Sequence, residues 1–167
     1  EAFGGWKPEA KGREQVKAGI ELSKDLRAAV ITDKEVTSAE VGVSIIRELR
    51  PEKTVGDFRR GMVEQFGGMM MNRRLRRMVQ EGGAPFQSAQ IGGGAFMGYC
   101  EILSVDAEGE PDQVMPMLKA VLVEVLRARE HGFREDEFEV AKRVIGAGLA
   151  QAAARESTVD SASWMMR

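Results

Sequence analysis

The chain has 167 residues, 24 basic against 26 acidic side chains, a formal charge of −2, and one cysteine, Cys100. That length suits one domain with a real core and is cramped for two. The near-neutral balance excludes the broad positive field that gathers nucleic acid or an anionic membrane. The lone thiol excludes an internal disulfide framework and any multi-cysteine zinc site.

In chain order, residues 1–20 are polar and rich in Gly and Lys, with Phe3 and Trp6 as anchors and Pro8 as a breaker. They read as a connector from a preceding domain, and residues 21–167 as a single domain whose last helix is cut short. The first residues Glu1 to Trp6 have neither the basic flank nor the apolar run of a signal peptide, no stretch nears 18 apolar residues, and the start without methionine suggests a processed chain or a fragment. The compartment is left open between periplasm and cytoplasm.

Leu26 to Thr32 reads as a first strand, Asp33-Lys34-Glu35 as a turn, and Glu40 to Glu48 as a second strand in which Val41, Val43 and Ile45 alternate with Gly42 and Ser44. Thr54 followed three residues later by Asp57 is a capping-box pattern that opens a long helix. Val55, Phe58, Met62, Phe66, Met69 and Met78 or Val79 predict its apolar stripe, with Arg59, Arg60, Glu64, Arg73 and Arg77 opposite. Gly82-Gly83 should stop it and Pro85 keep it from resuming. Gly67-Gly68 costs about 1 kcal/mol per glycine relative to alanine, which close packing or a bend must offset.

Two further strands are predicted over about Phe86 to Phe96 and Gly98 to Ala107, with Gly92-Gly93-Gly94 weakening the first or marking a bulge. A helix follows from Pro111 to about Glu130 with its stripe on Val114, Leu118, Val121 and Val125, and Pro116 implies a late start or a kink. His131-Gly132-Phe133 looks like a glycine C-cap. Arg134-Glu135-Asp136-Glu137 opens a third helix with Phe138, Ala141, Ile145, Leu149 and Ala152 inward, and a fourth helix starts near Val159. The order of two strands, helix, two strands and two helices predicts an α+β domain with an antiparallel sheet of at least four strands and helices on one face.

These pieces together resemble the pitrilysin/insulinase family of inverted-motif zinc metallopeptidases. Phe3-Gly4-Gly5-Trp6 is similar to the end of one of its domains, and Thr32-Asp33-Lys34-Glu35 to the turn opening the next. Met71-Asn72-Arg73-Arg74-Leu75 with Ala84-Pro85-Phe86 is similar to its "LNxRL … APF" pattern, and Glu124 with Gly132-Phe133-Arg134-Glu135-Asp136-Glu137 to its "E … GFTxxEL" pattern. Arg134 stands where the family has a helix-capping threonine, a poorer cap. The resemblance implies repeated α+β domains paired around a chamber for an unfolded peptide.

The family's chemistry needs H-x-x-E-H, two imidazoles and a carboxylate on one helix, plus a later glutamate. A chain whose only histidine is His131 cannot assemble that site. The resemblance is therefore to a non-catalytic domain, most similar to the second. It would serve as chamber wall and docking surface, with sibling domains or a homologous subunit and the peptide as partners, and zinc held elsewhere in the parent. A structural core-type subunit without proteolytic activity, or an unrelated α+β binding module, are the alternatives.

Among individual residues, His131 lies beside a cap glycine with only Glu130 and Glu135 near it in sequence, which suits a solvent-facing helix end better than a ligand. Arg73, Arg74, Arg76 and Arg77 form the basic cluster. Without interleaved aromatics they do not read as an RNA site, and Arg73, Arg74 and Arg77 are the candidates for peptide or domain contact. Gly92-Gly93-Gly94 precedes no helix start, so it is not read as a phosphate cradle. Two of Met69-Met70-Met71 are expected in the core, Cys100 as a buried strand residue without a catalytic partner, and Trp6 and Trp164 as packing anchors.

Overall fold

The computed structural model describes residues 22–23 and 25–155. The connector with Phe3 and Trp6, the fourth helix from Val159, and Trp164 lie outside the described residues. Strand β1 (Ala39–Glu48) leads to helix α1 (Val55–Gln80), then β2 (Ser88–Phe96) and β3 (Cys100–Gly109). A 3-10 turn over Pro111–Gln113 precedes α2 (Val114–His131) and α3 (Glu135–Arg155). The three strands form one antiparallel sheet in the order β1-β3-β2.

β3 is central. It pairs with β1 from Ala39↔Gly109 to Glu48↔Cys100, and with β2 from Ser88↔Glu108 to Phe96↔Cys100. Because side chains alternate along a strand, odd-numbered residues of all three strands share one face. Val41, Val43, Ala89, Ile91, Val105 and Ala107 meet Leu75, Phe86, Met117 and Val121 there, forming the core. The even-numbered face carries Glu40, Ser44, Gln90, Ser104, Asp106 and Glu108, so the helices lie on one side only, as the sequence pattern implies.

A fourth strand is not present among the described residues. Leu26 to Thr32 runs outside any ladder with Leu26, Val30 and Ile31 at 96%, 89% and 95% exposure. Its composition favours a strand, but that preference is realised only against a neighbour, and nothing described pairs with the segment. The turn after it forms as expected, with Asp33 Oδ1 accepting the Glu35 N–H at 2.9 Å.

The capping box at α1 is complete: Thr54 Oγ1 accepts the Asp57 N–H at 3.1 Å and the Asp57 carboxylate accepts the Thr54 N–H at 3.0 Å. The hydroxyl of Thr54 and the amides of Lys53 and Thr54, with Arg60, pull the Asp57 carboxyl down to about 2. At the other end Gly82 takes φ +73°, and the Gly83 N–H reaches back to the Met78 carbonyl. The buried face differs from the expected stripe. Met70, Met71 and Leu75 are buried, whereas Val55 and Phe58 are 85% and 54% exposed, because only the C-terminal half of α1 lies on the core. Two of the three consecutive methionines are thus interior, as expected.

α2 resolves the position of Pro116 by starting late. With the helix beginning at Val114, the proline falls in the first turn, where its missing N–H leaves no bond unmade. Met117, not part of the expected stripe, is fully buried beside Val121. On α3, Ala141 and Ile145 are buried as expected, but Phe138 and Leu149 stay 43% and 53% exposed. No helix among the described residues is long and apolar enough to cross a membrane.

Truncating Leu75, which has no exposed surface, to alanine is expected to lower unfolding free energy by about 3 kcal/mol. The same change at Val55 should stay within about 0.5 kcal/mol. Urea unfolding of the two variants checks the relocated core face.

Candidate functional site

A cleft of about 780 Å³ lies between α1 and the β2–β3 hairpin. Its helix wall is Gly61, Glu64, Gln65, Gly68, Met69, Asn72 and Arg76, a set whose three- and four-residue steps define one face of α1. Its sheet wall runs along β2 from Ile91 through Gly92, Gly93 and Gly94 to Ala95, with Leu103 beside it. A methyl group at Gly67 or Gly68 would meet nothing within 4 Å, so close packing does not explain those glycines. Gly61 and Gly68 keep the cleft wide instead.

β2 is an edge strand, and a side chain shows which of its backbone groups point outward. Asn72 Nδ2 donates to the Ile91 carbonyl at 2.9 Å while the Ile91 N–H donates to Asn72 Oδ1 at 2.8 Å. Residues of an antiparallel strand alternate between bonding the neighbour and facing away from it. With Ile91 facing away from β3, Ala89, Gly93 and Ala95 do so too. The Gly93↔Leu103 pair is then a narrow one, and a Cβ at Gly93 would lie 2.6 Å from the Ile102 carbonyl oxygen. Glycine is required there by the approach of β3. The edge ends at a turn in which Met97 and Gly98 take φ +48° and +74°.

An ion cluster holds the N-terminal half of α1 at the cleft mouth. Arg50 Nη2 bonds Glu64 Oε1 at 2.7 Å, Arg47 Nε bonds Glu101 Oε2 at 2.7 Å, and the Arg50 N–H donates to Glu101 Oε1 at 3.0 Å. These tie the end of β1, α1 and the start of β3 together. The Arg50 guanidinium lowers the Glu64 carboxyl, and the Arg50 amide is the main cause of the lowering at Glu101.

A second cluster lies at the far side of α1. Arg74 donates from Nε and Nη2 to both oxygens of Glu137, at 2.7 and 2.6 Å, and from Nη2 to the Gly132 carbonyl at 3.0 Å. Its guanidinium stacks 4.6 Å from the centre of the Phe133 ring, and Glu124 sits at 3.4 Å while also binding Arg127. Glu137 accepts the Arg134 N–H as well, at 2.9 Å, which caps α3 in place of the side-chain cap that Arg134 cannot provide. Arg74, followed by the Arg134 amide, pulls the Glu137 carboxyl below its ordinary value, against an opposing effect of burial.

Of the arginines singled out in the sequence, Arg74 is thus engaged between three helices, Arg73 is exposed, and Arg77 lines a smaller recess of about 400 Å³ with His131 and Phe133. His131 is 73% exposed and 3.9 Å from Glu130. Cys100 is buried in β3. No three His, Cys, Asp or Glu side chains gather where they could hold a metal ion among the described residues. Asn72 was visible in the sequence only as part of a motif. Its contact with Ile91, and the clamp between Arg50 and Glu101 across 51 residues, have no local signature.

No known family profile matches the chain, and no curated protein matches it in sequence. Solved structures share its fold. The first half of the periplasmic protease PqqL from Escherichia coli superposes with a TM-score of 0.69 at 17% identity over 78% of this chain and 28% of that one. The structure of the periplasmic protease PqqL from Escherichia coli gives 0.66 at 14% identity, over 76% and 14%. At these identities the likeness establishes an α+β fold shared with a piece of a protease. The chain spans less than a third of either neighbour.

Replacing Arg74 by methionine leaves Glu137 buried without its cation and Glu124 with Arg127 alone, and is expected to cost about 3 kcal/mol at neutral pH. A carboxyl lowered in the folded state contributes stability above its unfolded value, here near 4.5, and loses it as pH falls through the folded value. The gap between wild type and R74M should therefore narrow as pH falls below about 4.5, as followed by urea unfolding across a pH series.

Proposed function

We propose that the chain is a non-catalytic domain of a zinc-dependent protease, forming part of a chamber wall and docking an extended segment of substrate peptide on the edge of β2. The observation that carries this reading is the edge of β2, which no described strand pairs with. Gly93 and Ala95 present outward N–H and C=O groups into a cleft whose opposite wall is also trimmed to glycine. An added strand needs about 4.8 Å beside β2 and backbone groups to bind, and strand addition to an exposed edge is a general mode of peptide capture. Main-chain bonding reads shape more than sequence, as a protease acting on unfolded segments requires.

The fold shared with a piece of a periplasmic protease and the residues resembling the inverted-motif metallopeptidases support the proteolytic parent. The described residues do not fit a zinc site: the single histidine is exposed, with a carboxylate neighbour at 3.9 Å. Zinc is assigned to a sibling domain that would hold the H-x-x-E-H motif. Arg73, exposed beside the cleft helix, and Arg77 are assigned to contact with a neighbouring domain or an acidic stretch of peptide. Arg74 acts behind them by fixing the start of α3.

Two outcomes are expected. The purified chain should hydrolyse no peptide with zinc added and carry no stoichiometric zinc by elemental analysis; chelator-sensitive turnover would sink the non-catalytic assignment. A nine-residue proline-free peptide of alternating Val and Thr, with lysine at each end, should perturb the amide resonances of Gly93 and Ala95 on titration. Ala95→Pro, which removes an outward donor while keeping the bonds to β3, should abolish that binding; equal binding by A95P would place the peptide elsewhere.

A further inference from the structure

Resting on that reading of the β2 edge, we propose that Asn72 is a register stop: its carboxamide occupies the edge at Ile91, confining a docked peptide to Gly93 through Phe96. A carboxamide carries one donor group and one acceptor in a plane, like a peptide unit. At 2.9 and 2.8 Å it makes both bonds that an incoming strand would make to Ile91. Asn72 therefore already sits on the edge as a one-residue strand, anchored by a helix that cannot slide.

The opposite limit is set by the turn. Met97 and Gly98, both with positive φ, end the extended edge after Phe96. Between the two limits only Gly93 and Ala95 offer outward groups. Since a paired residue recurs every second position in an antiparallel ladder, the site accepts a window of about five residues, with the two paired positions at its centre. A peptide cannot shift toward Ala89 without displacing Asn72, and cannot shift the other way without leaving the strand. A shift by one residue would exchange its two side-chain faces. The site thus measures the extent of extended chain and fixes which faces of its side chains turn toward α1. Sequence preference enters only through the cleft wall, where Gly61, Gln65, Gly68 and Met69 receive one of those faces.

The test compares alternating Val/Thr peptides of five and nine residues, binding the 167-residue chain, its Asn72→Ala variant and its Asn72→Asp variant. Wild type should bind both lengths within about twofold, because the longer peptide finds no further edge groups. N72A opens Ile91, and the nine-residue peptide should then bind about tenfold more tightly than the five-residue one, the gain from two further backbone hydrogen bonds. Hydrogen exchange at the Ile91 amide should be slow in wild type, fast in free N72A and slow again only with the long peptide. N72D keeps an acceptor for the Ile91 N–H but sets a carboxylate against its carbonyl. It should retain slow exchange at that amide and show the length dependence of wild type or weaker. Should wild type itself gain severalfold from the added length, or should N72A fold and bind both lengths as wild type does, the register stop is wrong while peptide docking stands. Should neither length bind wild type or variant, docking on this edge fails, and with it the stop.

Discussion

β3 is bonded on both sides, and β1 and β2 on one side each among the described residues. From that single constraint most of the domain's functional geometry follows. Odd-numbered residues of three strands must share a face, so the helices and the core collect there. Backbone groups of β2 must alternate between β3 and the outside, so Asn72 can satisfy Ile91 only by facing the edge. The sheet has two open edges, and the two differ in what stands beside them. β1 presents Glu40 and Glu48 among its exposed residues, and charge on an edge discourages pairing. β2 presents glycine and alanine to a cleft.

Helix α1 joins the two halves of this arrangement. Its C-terminal half is a core element, with Leu75 packed among the sheet residues and Met71 buried. Its N-terminal half is held over the cleft by Arg47, Arg50, Glu64 and Glu101. Partly exposed pairs such as these contribute little stability individually. Their effect is geometric, since Glu64 and Glu101 are crosslinked through the same two arginines. Tethered at one end and packed at the other, the helix forms one wall of the cleft between.

Periodicity and caps made much of the fold legible. Thr54 and Asp57, Gly82, Gly132 and the alternation around Val41 and Val43 are local signals, and each gives the element its residues imply. The departures from that pattern are tertiary. Leu26 to Thr32 has strand composition but no described neighbour, and Val55 and Phe58 continue an apolar stripe beyond the end of the surface it covers. Met117 is buried where β3 brings Gly109 so close that a Cβ on that glycine would lie 2.9 Å from the methionine sulfur, a contact no window of sequence contains. The candidate site was less legible than the fold. The three consecutive glycines were visible, but their meaning depends on which strand is an edge, and that is a property of pairing.

The motif around Asn72 and Arg74 carries the resemblance to a peptidase family without carrying a reactive group, and the structure gives a physical reason. Residues two apart on a helix point about 200° away from each other. Asn72 therefore faces the β2 edge while Arg74 faces the start of α3, and one turn of α1 fixes both. The residue types follow from the partners. Arg74 meets a carboxylate with two oxygens, which the fork of a guanidinium matches and an ammonium does not. Asn72 meets a peptide group that needs one acceptor and one donor together. Aspartate there would satisfy the Ile91 N–H and oppose its carbonyl. A short carboxamide, held by a helix at strand distance, is the side chain that closes a sheet edge at one residue and leaves the next two open.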